Sequence, residues 1–253
     1  MPAEPVLAVR LRSEGLDWIA PDWPAPATVR AVSTTRNGLS GRAVDFARDS
    51  PDGVARELLH RFVPREPLWL AQRHGTVVAS ADACHDRAPE ADAAVSRIRG
   101  NVCAVLSADC LPVIFSDRHG TVIATAHAGW RGLADGVLEA TIGAMRADPA
   151  NVLAWLGPAI GPRAFEVGAD VYAAFCDRDA GADACFVATR PGKWHADLYA
   201  LARRALVRTG MDIAAIHGGG RCTFNEPATF YSYRRGGPDR NARMATLIWL
   251  APG

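Results

Sequence analysis

Short apolar runs, each closed by a polar or glycine-bearing turn, recur along this chain without strict strand–helix alternation, and that order limits the folds open to it. The segment NVCAVLSADCLPVIFS (101–116) gives two such runs, broken by Ser107-Ala108-Asp109-Cys110. Thr121 to Ala126 reads as a third strand and Val152 to Leu156 as another. Upstream, Val29 to Thr34, Leu68 to Ala71 and Thr76 to Ala79 have strand character; Ile213 to His217 and Ala245 to Leu250 close the chain as strands. Helical spacing marks 53–63, 169–176 and 195–209. It also marks the stretch after Gly132, where Leu133, Val137, Leu138, Thr141, Ile142 and Met145 share one face. Residues 1–27 hold Pro2, Pro5, Pro21, Pro24 and Pro26 and are expected to begin irregularly. A mixture of this kind predicts an α/β chain of the α+β, mixed-sheet layered type, with residues 1–253 as one domain. The length of 253 residues and an apolar half suffice for a sizeable core.

Composition removes several function classes. The net charge of +1 and the lack of a long basic cluster argue against a nucleic-acid or membrane partner. No stretch approaches the ~20 apolar residues that span a bilayer. The first residues, MPAEPVLAVRLRSEG, lack the charged start and apolar run of a signal peptide, so the expected location is the cytoplasm. Lys193 is the sole lysine, and no Gly-Lys-Ser/Thr occurs, which excludes an ordinary P-loop nucleotidase. An anionic substrate must then be held by arginines or backbone amides. The six cysteines include no C-x-x-C pair and are expected to be free thiols.

Three ligand-type side chains stand at turns or strand ends near glycine: His74 before Gly75, Cys110 in a strand break, and His127 before Ala128-Gly129. Two imidazoles and a thiolate suit zinc or copper and leave a fourth position open. Their spacing matches no short motif such as HExxH, and a buried thiol with two hydrogen-bonded turn histidines is the plainer alternative. Asp109 is a candidate general base or a partner that orients a histidine; a turn cap is the competing reading. The turn HAGWRG opens a helix, and with Arg131 it offers an anion site. Phe230-Tyr231-Ser232-Tyr233-Arg234-Arg235-Gly236 joins aromatics that stack bases to arginines that grip phosphate, though an amphipathic strand fits as well. Thr34-Thr35-Arg36-Asn37-Gly38 is a second arginine-bearing turn.

STTRNGLS, QRHG, SADCLPV, HAGWRG, GPAIGPRAFEV and CTF…FYSYRR occur in this order along nearly the whole chain. Together they resemble the YfiH family, also called the polyphenol oxidase or laccase-domain family. The resemblance implies a single-domain YfiH-like α/β fold and a zinc site on His74, Cys110 and His127, with copper as the older attribution. It further implies a purine nucleoside phosphorylase acting on adenosine, inosine, guanosine and methylthioadenosine with phosphate, with adenosine deamination as a side activity. Peptidoglycan-precursor editing is linked to some members. One departure stands out: the family often reads GPCCFEV where this chain has Gly161-Pro162-Arg163-Ala164-Phe165-Glu166-Val167, so no cysteine role carries over, and Arg163 is a further candidate for the anion pocket.

Multicopper oxidases need histidines in H-x-H pairs to hold several coppers; this chain has seven histidines and no such pair, which argues against a true multicopper laccase. A serious rival is a Cys-His hydrolase with Cys110 as nucleophile, His127 as base and Asp109 as orienting group. It competes with the metal reading for the same residues. The third class is a zinc domain without catalysis. For nucleoside chemistry, Arg36, Arg131 and Arg235 are the candidates to place phosphate, and Asp109 is the candidate for proton transfer. Oligomeric state leaves no mark on the sequence.

Overall fold

Strands that are apolar at nearly every position have to be covered on both faces, and the architecture follows from that demand. The computed structural model describes residues 4–47 and 53–253. Twelve strands among the described residues form three sheets. The largest contains, in spatial order, β11 (Ile216–Gly218), β7 (Val152–Leu156), β5 (Leu111–Asp117), β6 (Ile123–Ala128), β3 (Ala93–Ser96) and β2 (Val78–Ser80). The second is antiparallel: β1 (Val29–Ser33), β12 (Met244–Leu250) and β4 (Val102–Ser107).

Period-two alternation assigns each side chain to a layer. On β5, Leu111, Val113 and Phe115 join one core, and Ile114 joins another. Ile114 packs with Cys103 and Val105 of β4, Ile248 of β12 and Ile123 of β6, so this second core lies between the two sheets. The opposite face of the large sheet packs on α3 (Trp130–Asp135), α4 (Val137–Met145), α5 (Ala169–Cys176) and α6 (Leu198–Arg208). The outer face of the second sheet, through Val102, Ala104, Leu247 and Trp249, packs on Leu7 and Leu11 of α1 (Glu4–Ser13) and on Ala55, Leu58 and Leu59 of α2 (Gly53–His60). The order is thus helix, sheet, sheet, helix. Phe115, with no exposed surface, contributes about 2–3 kcal/mol by burial at the centre.

The α+β, mixed-sheet class agrees with the expectation from sequence, and several elements do not. The irregular start expected for residues 1–27 gives way to α1: Leu7 and Leu11, one helical turn apart, are buried, and Pro5 lies in the first turn, where its missing N–H costs nothing. Pro2 lies outside the described residues. Leu68–Ala71 is not a strand; Leu68 makes a single bridge to Cys103, and the Gln72 side-chain amide, rather than a ladder, bonds both backbone groups of Leu106. The helix after Gly132 is two helices, because Gly136 takes φ +100° and caps α3. Ile213 opens a 3-10 turn, and the strand begins only at Ile216. A small sheet of β8 (Glu166–Gly168), β10 (Lys193–Ala196) and β9 (Phe186–Arg190) was not expected; His195 and Ala196, read as the start of the 195–209 helix, belong to β10, and α6 begins at Leu198. All six cysteines are free. No described helix is long and apolar enough to cross a membrane.

Candidate metal centre

Strand register assembles most of the site. In the large sheet β6 lies between β5 and β3. Leu111 pairs with Ala128, so Cys110, one residue before β5, falls beside Gly129. On the other side Ala93 pairs with Ala126, and the next pair outward is Asp92 with His127: the His127 N–H donates to the Asp92 carbonyl at 2.7 Å. Cys110, His127 and Asp92 therefore stand side by side at one end of three adjacent strands. His74 arrives from the turn that leads into β2, the neighbour of β3.

The three residues singled out in the sequence do converge. The ligand atoms of His74, Cys110 and His127 all lie within 4.8 Å of one another, and this is the only such group among the described residues. The His74 Nε2 is 3.9 Å from the Cys110 Sγ, and the two imidazoles meet edge-on with centroids 4.9 Å apart. His127 is buried, Cys110 half-buried and His74 exposed. Gly129 is required for the approach: a Cβ there would lie 2.8 Å from the His74 Cδ2 and 3.0 Å from the Cys110 Sγ.

Asp92 is 1% exposed, and its carboxylate collects four N–H donors. Oδ1 accepts from His127 Nδ1 and His74 N, each at 2.9 Å; Oδ2 accepts from Arg73 N at 3.0 Å and Gly75 N at 2.8 Å. Burial pushes this carboxyl up, but the bonds from His127, Gly75 and Arg73 prevail and bring it down to about 2. Burial likewise raises the Cys110 thiol, and the adjoining His127 and His74 outweigh it, lowering the thiol to about 6. His127 is lowered by burial and raised more by Cys110 and Asp92, to about 9. Each group thus favours the charged form of the other: the two histidines lower the thiol, and Cys110 and Asp92 raise His127. Two imidazole nitrogens and a thiolate, with His127 Nδ1 already engaged and its Nε2 left over, make a borderline-soft donor set that fits zinc.

The cluster lies in a cavity of about 1110 Å³. Leu70, Leu106 and Ile160 contribute apolar wall; Trp130, Phe165, Tyr231 and Tyr233 contribute rings; Arg73, Arg131, Arg234 and Arg243 contribute charge. The arginines differ in what they have left to offer. Arg73 is paired with Glu90 at 2.7 Å, and Arg243 donates to the carbonyls of Arg240 and Ala242. Arg234 donates one N–H to the Glu166 carbonyl at 3.0 Å and lies 5.3 Å over the Phe165 ring. Arg131 sits 4.4 Å over the Trp130 ring and makes no hydrogen bond or ion pair among the described residues.

Of the other residues named from the sequence, Arg36 and Arg235 do not line the cavity. Arg36 bonds Asp239 at 2.8 Å and the Pro227 carbonyl at 3.0 Å, and it covers the Tyr231 ring. Arg235 donates to the carbonyls of Thr223, Phe224 and Phe230. Both brace the wall from behind. Arg163 is exposed and outside the cavity. Asp109 lines the cavity, but its carboxylate accepts from Thr223 Oγ1 at 2.5 Å, Ser232 Oγ at 2.9 Å and Arg234 N at 2.7 Å. It holds φ +86°, an unfavourable backbone for a non-glycine residue, directly before the candidate ligand Cys110. The carboxylate that orients a histidine is Asp92, not Asp109.

Sequence reasoning missed Asp92 and Arg243; of the Arg234-Arg235 pair it chose Arg235, whereas Arg234 lines the cavity. The one signal for Asp92 was an acid at the head of an apolar run, in EADAAVS. Nothing local distinguished it from a solvated turn residue.

Comparison with known proteins places these features in a family. Residues 41–251 match the family model described as multi-copper polyphenol oxidoreductase laccase. A Pseudomonas aeruginosa protein named purine nucleoside phosphorylase is 49% identical over 92% of this chain and 98% of its own length. The Escherichia coli protein named purine nucleoside phosphorylase YfiH is 46% identical, with the same coverages. A crystal structure of a Neisseria meningitidis protein of family DUF152 superposes with a TM-score of 0.86 at 46% identity, covering 93% of this chain and all of that one. Motifs, fold and relatives agree: this chain belongs to the YfiH family, the family of the multi-copper polyphenol oxidoreductase laccase model.

Proposed function

We propose that this single-domain, cytoplasmic chain is a zinc-dependent purine nucleoside phosphorylase, acting on adenosine, inosine, guanosine and methylthioadenosine, with adenosine deamination as a side activity. The observation that carries the reading is the His74–Cys110–His127 group in a large cavity whose wall holds Arg131, stacked on Trp130 and without a hydrogen bond or ion pair among the described residues. The names of relatives at 46–49% identity point the same way. Copper can occupy such a donor set, but the laccase part of the family description does not suit a chain with seven histidines in total.

In phosphorolysis an oxygen of inorganic phosphate bonds to C1′ of the ribose as the bond to the base nitrogen breaks, giving ribose 1-phosphate and the free base. The sugar passes through an oxocarbenium-like state, and the departing base takes negative charge or a proton. Arg131 is the group best placed to hold the phosphate, since its guanidinium lines the cavity and makes no hydrogen bond among the described residues. Arg234, held by its aromatic neighbour and one carbonyl, keeps further N–H groups for the same anion. Arginine-capped rings of Trp130, Phe165, Tyr231 and Tyr233 supply flat walls for a purine. Arg36 and Arg235 serve the wall that carries these rings rather than the phosphate. Held by His74, Cys110 and His127, zinc would supply Lewis-acid polarisation of a substrate atom. In deamination, water replaces the C6 amino group of adenosine and ammonia leaves. To relay a proton there, Asp109 must exchange one of its three donors for substrate.

One observation favours a second reading. Cys110, His127 and Asp92 form a thiolate–imidazole–carboxylate series, the arrangement of a cysteine hydrolase acting in peptidoglycan-precursor editing. His74, on the other side of the sulfur, has no part in such a triad and is what a metal needs as third ligand.

Incubation with inosine and with adenosine, with and without phosphate, tests the proposal. Base release that requires phosphate supports phosphorolysis, and ammonia release supports deamination. Inactivation of an active, metal-free preparation by a thiol-alkylating reagent establishes the hydrolase reading instead.

A further inference from the structure

We propose that Asp92 is the positioning residue that presets both histidines for a metal, acting through His127 Nδ1 on one ligand and through the backbone of residues 73–75 on the other. The inference rests on the reading of His74, Cys110 and His127 as a metal centre.

The two histidines come from elements with little else in common. His127 is on a central strand, with its backbone fixed by two neighbours in the sheet. His74 is in a turn, exposed, with φ +61°, a left-handed backbone that a residue with a Cβ adopts only where its surroundings impose it. Three consecutive amides there, of Arg73, His74 and Gly75, point at the Asp92 carboxylate. The same carboxylate accepts a hydrogen bond from the Nδ1–H of His127. An imidazole that donates from Nδ1 presents a bare Nε2, the atom a metal binds. One buried anion thus sets the position of one ligand and the tautomer of the other.

Only a carboxylate can do both. Its two oxygens face four donors, two each. An asparagine in its place has one oxygen and one NH2. With the oxygen toward His127 and His74, the NH2 confronts the N–H groups of Arg73 and Gly75, and the turn loses its support. With the amide reversed, the NH2 donates to Nδ1, the ring proton moves to Nε2, and His127 can no longer ligate. Either orientation weakens the metal, through different histidines.

Asp92→Asn in the full chain is compared with the wild type by zinc competition against a chromophoric chelator, by the absorption bands of the cobalt-substituted protein, and by melting of the metal-free protein. We expect zinc affinity to fall about 10- to 100-fold, with changed cobalt d–d bands reporting altered geometry. Equal affinity and identical bands, with only a lower melting temperature, overturn the inference by leaving Asp92 a structural role alone. Nitrogen-15 spectra of the zinc-loaded wild type give an answer that needs no variant: the His127 Nδ1 should carry the proton and Nε2 the metal. A metal on Nδ1 contradicts the proposal. A wild type that binds no zinc removes the metal reading itself, an outcome distinct from wild-type binding that the variant retains in full.

Discussion

The base and the C-terminal wall of the cavity are each organised by a buried aspartate, and the two differ in what they gather. Asp92 collects His127 and the turn of His74, so its donors belong to the candidate ligands themselves. Asp109 collects Thr223, Ser232 and the Arg234 amide, so its donors belong to a wall that brings aromatics and arginines to the same cavity. Asp117 repeats the device away from the cavity, in the β5–β6 turn, where Thr121 N, Thr121 Oγ1 and Val122 N donate to it. A buried carboxylate with three or four donors orders a segment that cannot order itself; what that segment carries decides whether the effect is read in metal, substrate or stability.

The largest effect should come from the base. Cys110→Ser is expected to lose bound zinc on dialysis and at least ~100-fold in phosphate-dependent base release, since zinc holds a hydroxyl far less well than a thiolate. Full zinc and full activity in that variant would remove Cys110 from the site. Asp109→Ala should come next, and in stability: two hydroxyls and an amide lose a charged acceptor, at a cost of about 3 kcal/mol in a urea titration. A loss under 1 kcal/mol means that the wall does not depend on this aspartate.

Among the arginines the comparison becomes sharper. Arg131→Ala should raise KM for phosphate about 10-fold, the worth of one charge-assisted contact. Arg36→Ala and Arg235→Ala should lower the melting temperature and leave the phosphate KM in place, because their guanidinium groups already serve carbonyls and Asp239. The reverse pattern would move the phosphate site to the other side of the wall.

The smallest effect concerns pH. Burial raises the Asp117 carboxyl, but the bonds from Val122 and Thr121 outweigh it and hold the group below the usual carboxylate range. A depressed folded-state value means stability that is present above about pH 4, where the unfolded carboxyl is ionised, and lost as pH falls through the folded value. Asp117→Asn should therefore cost about 1 kcal/mol at neutral pH and make unfolding less steep below pH 4. An unchanged acid profile contradicts this.

How much of this was legible in the sequence differs by residue. Strands β4 to β7 could be read because burial on both faces leaves unbroken apolar runs, as in Val102–Ser107 and Leu111–Asp117. The small sheet could not: KWHA and FVATR have no such signature, and their order comes from pairing with each other and with Glu166–Gly168. Helix α1 was hidden by Pro5, which the first turn tolerates. His74, Cys110 and His127 stood out through their turn contexts and the family motifs. Asp92 was invisible because its importance lies in register, the pairing of β3 with β6, which no local pattern encodes. The arginines were visible as charges, but which of them is spoken for depends on carbonyls far along the chain; Arg36 bonds Pro227.

The most direct test of the central claim is to add zinc back to the metal-stripped chain and follow hypoxanthine release from inosine at saturating phosphate. The account predicts that the rate rises linearly, breaks at one zinc per chain, and falls to background when phosphate is left out. Full activity in the stripped protein, or zinc-restored activity that ignores phosphate, would contradict it.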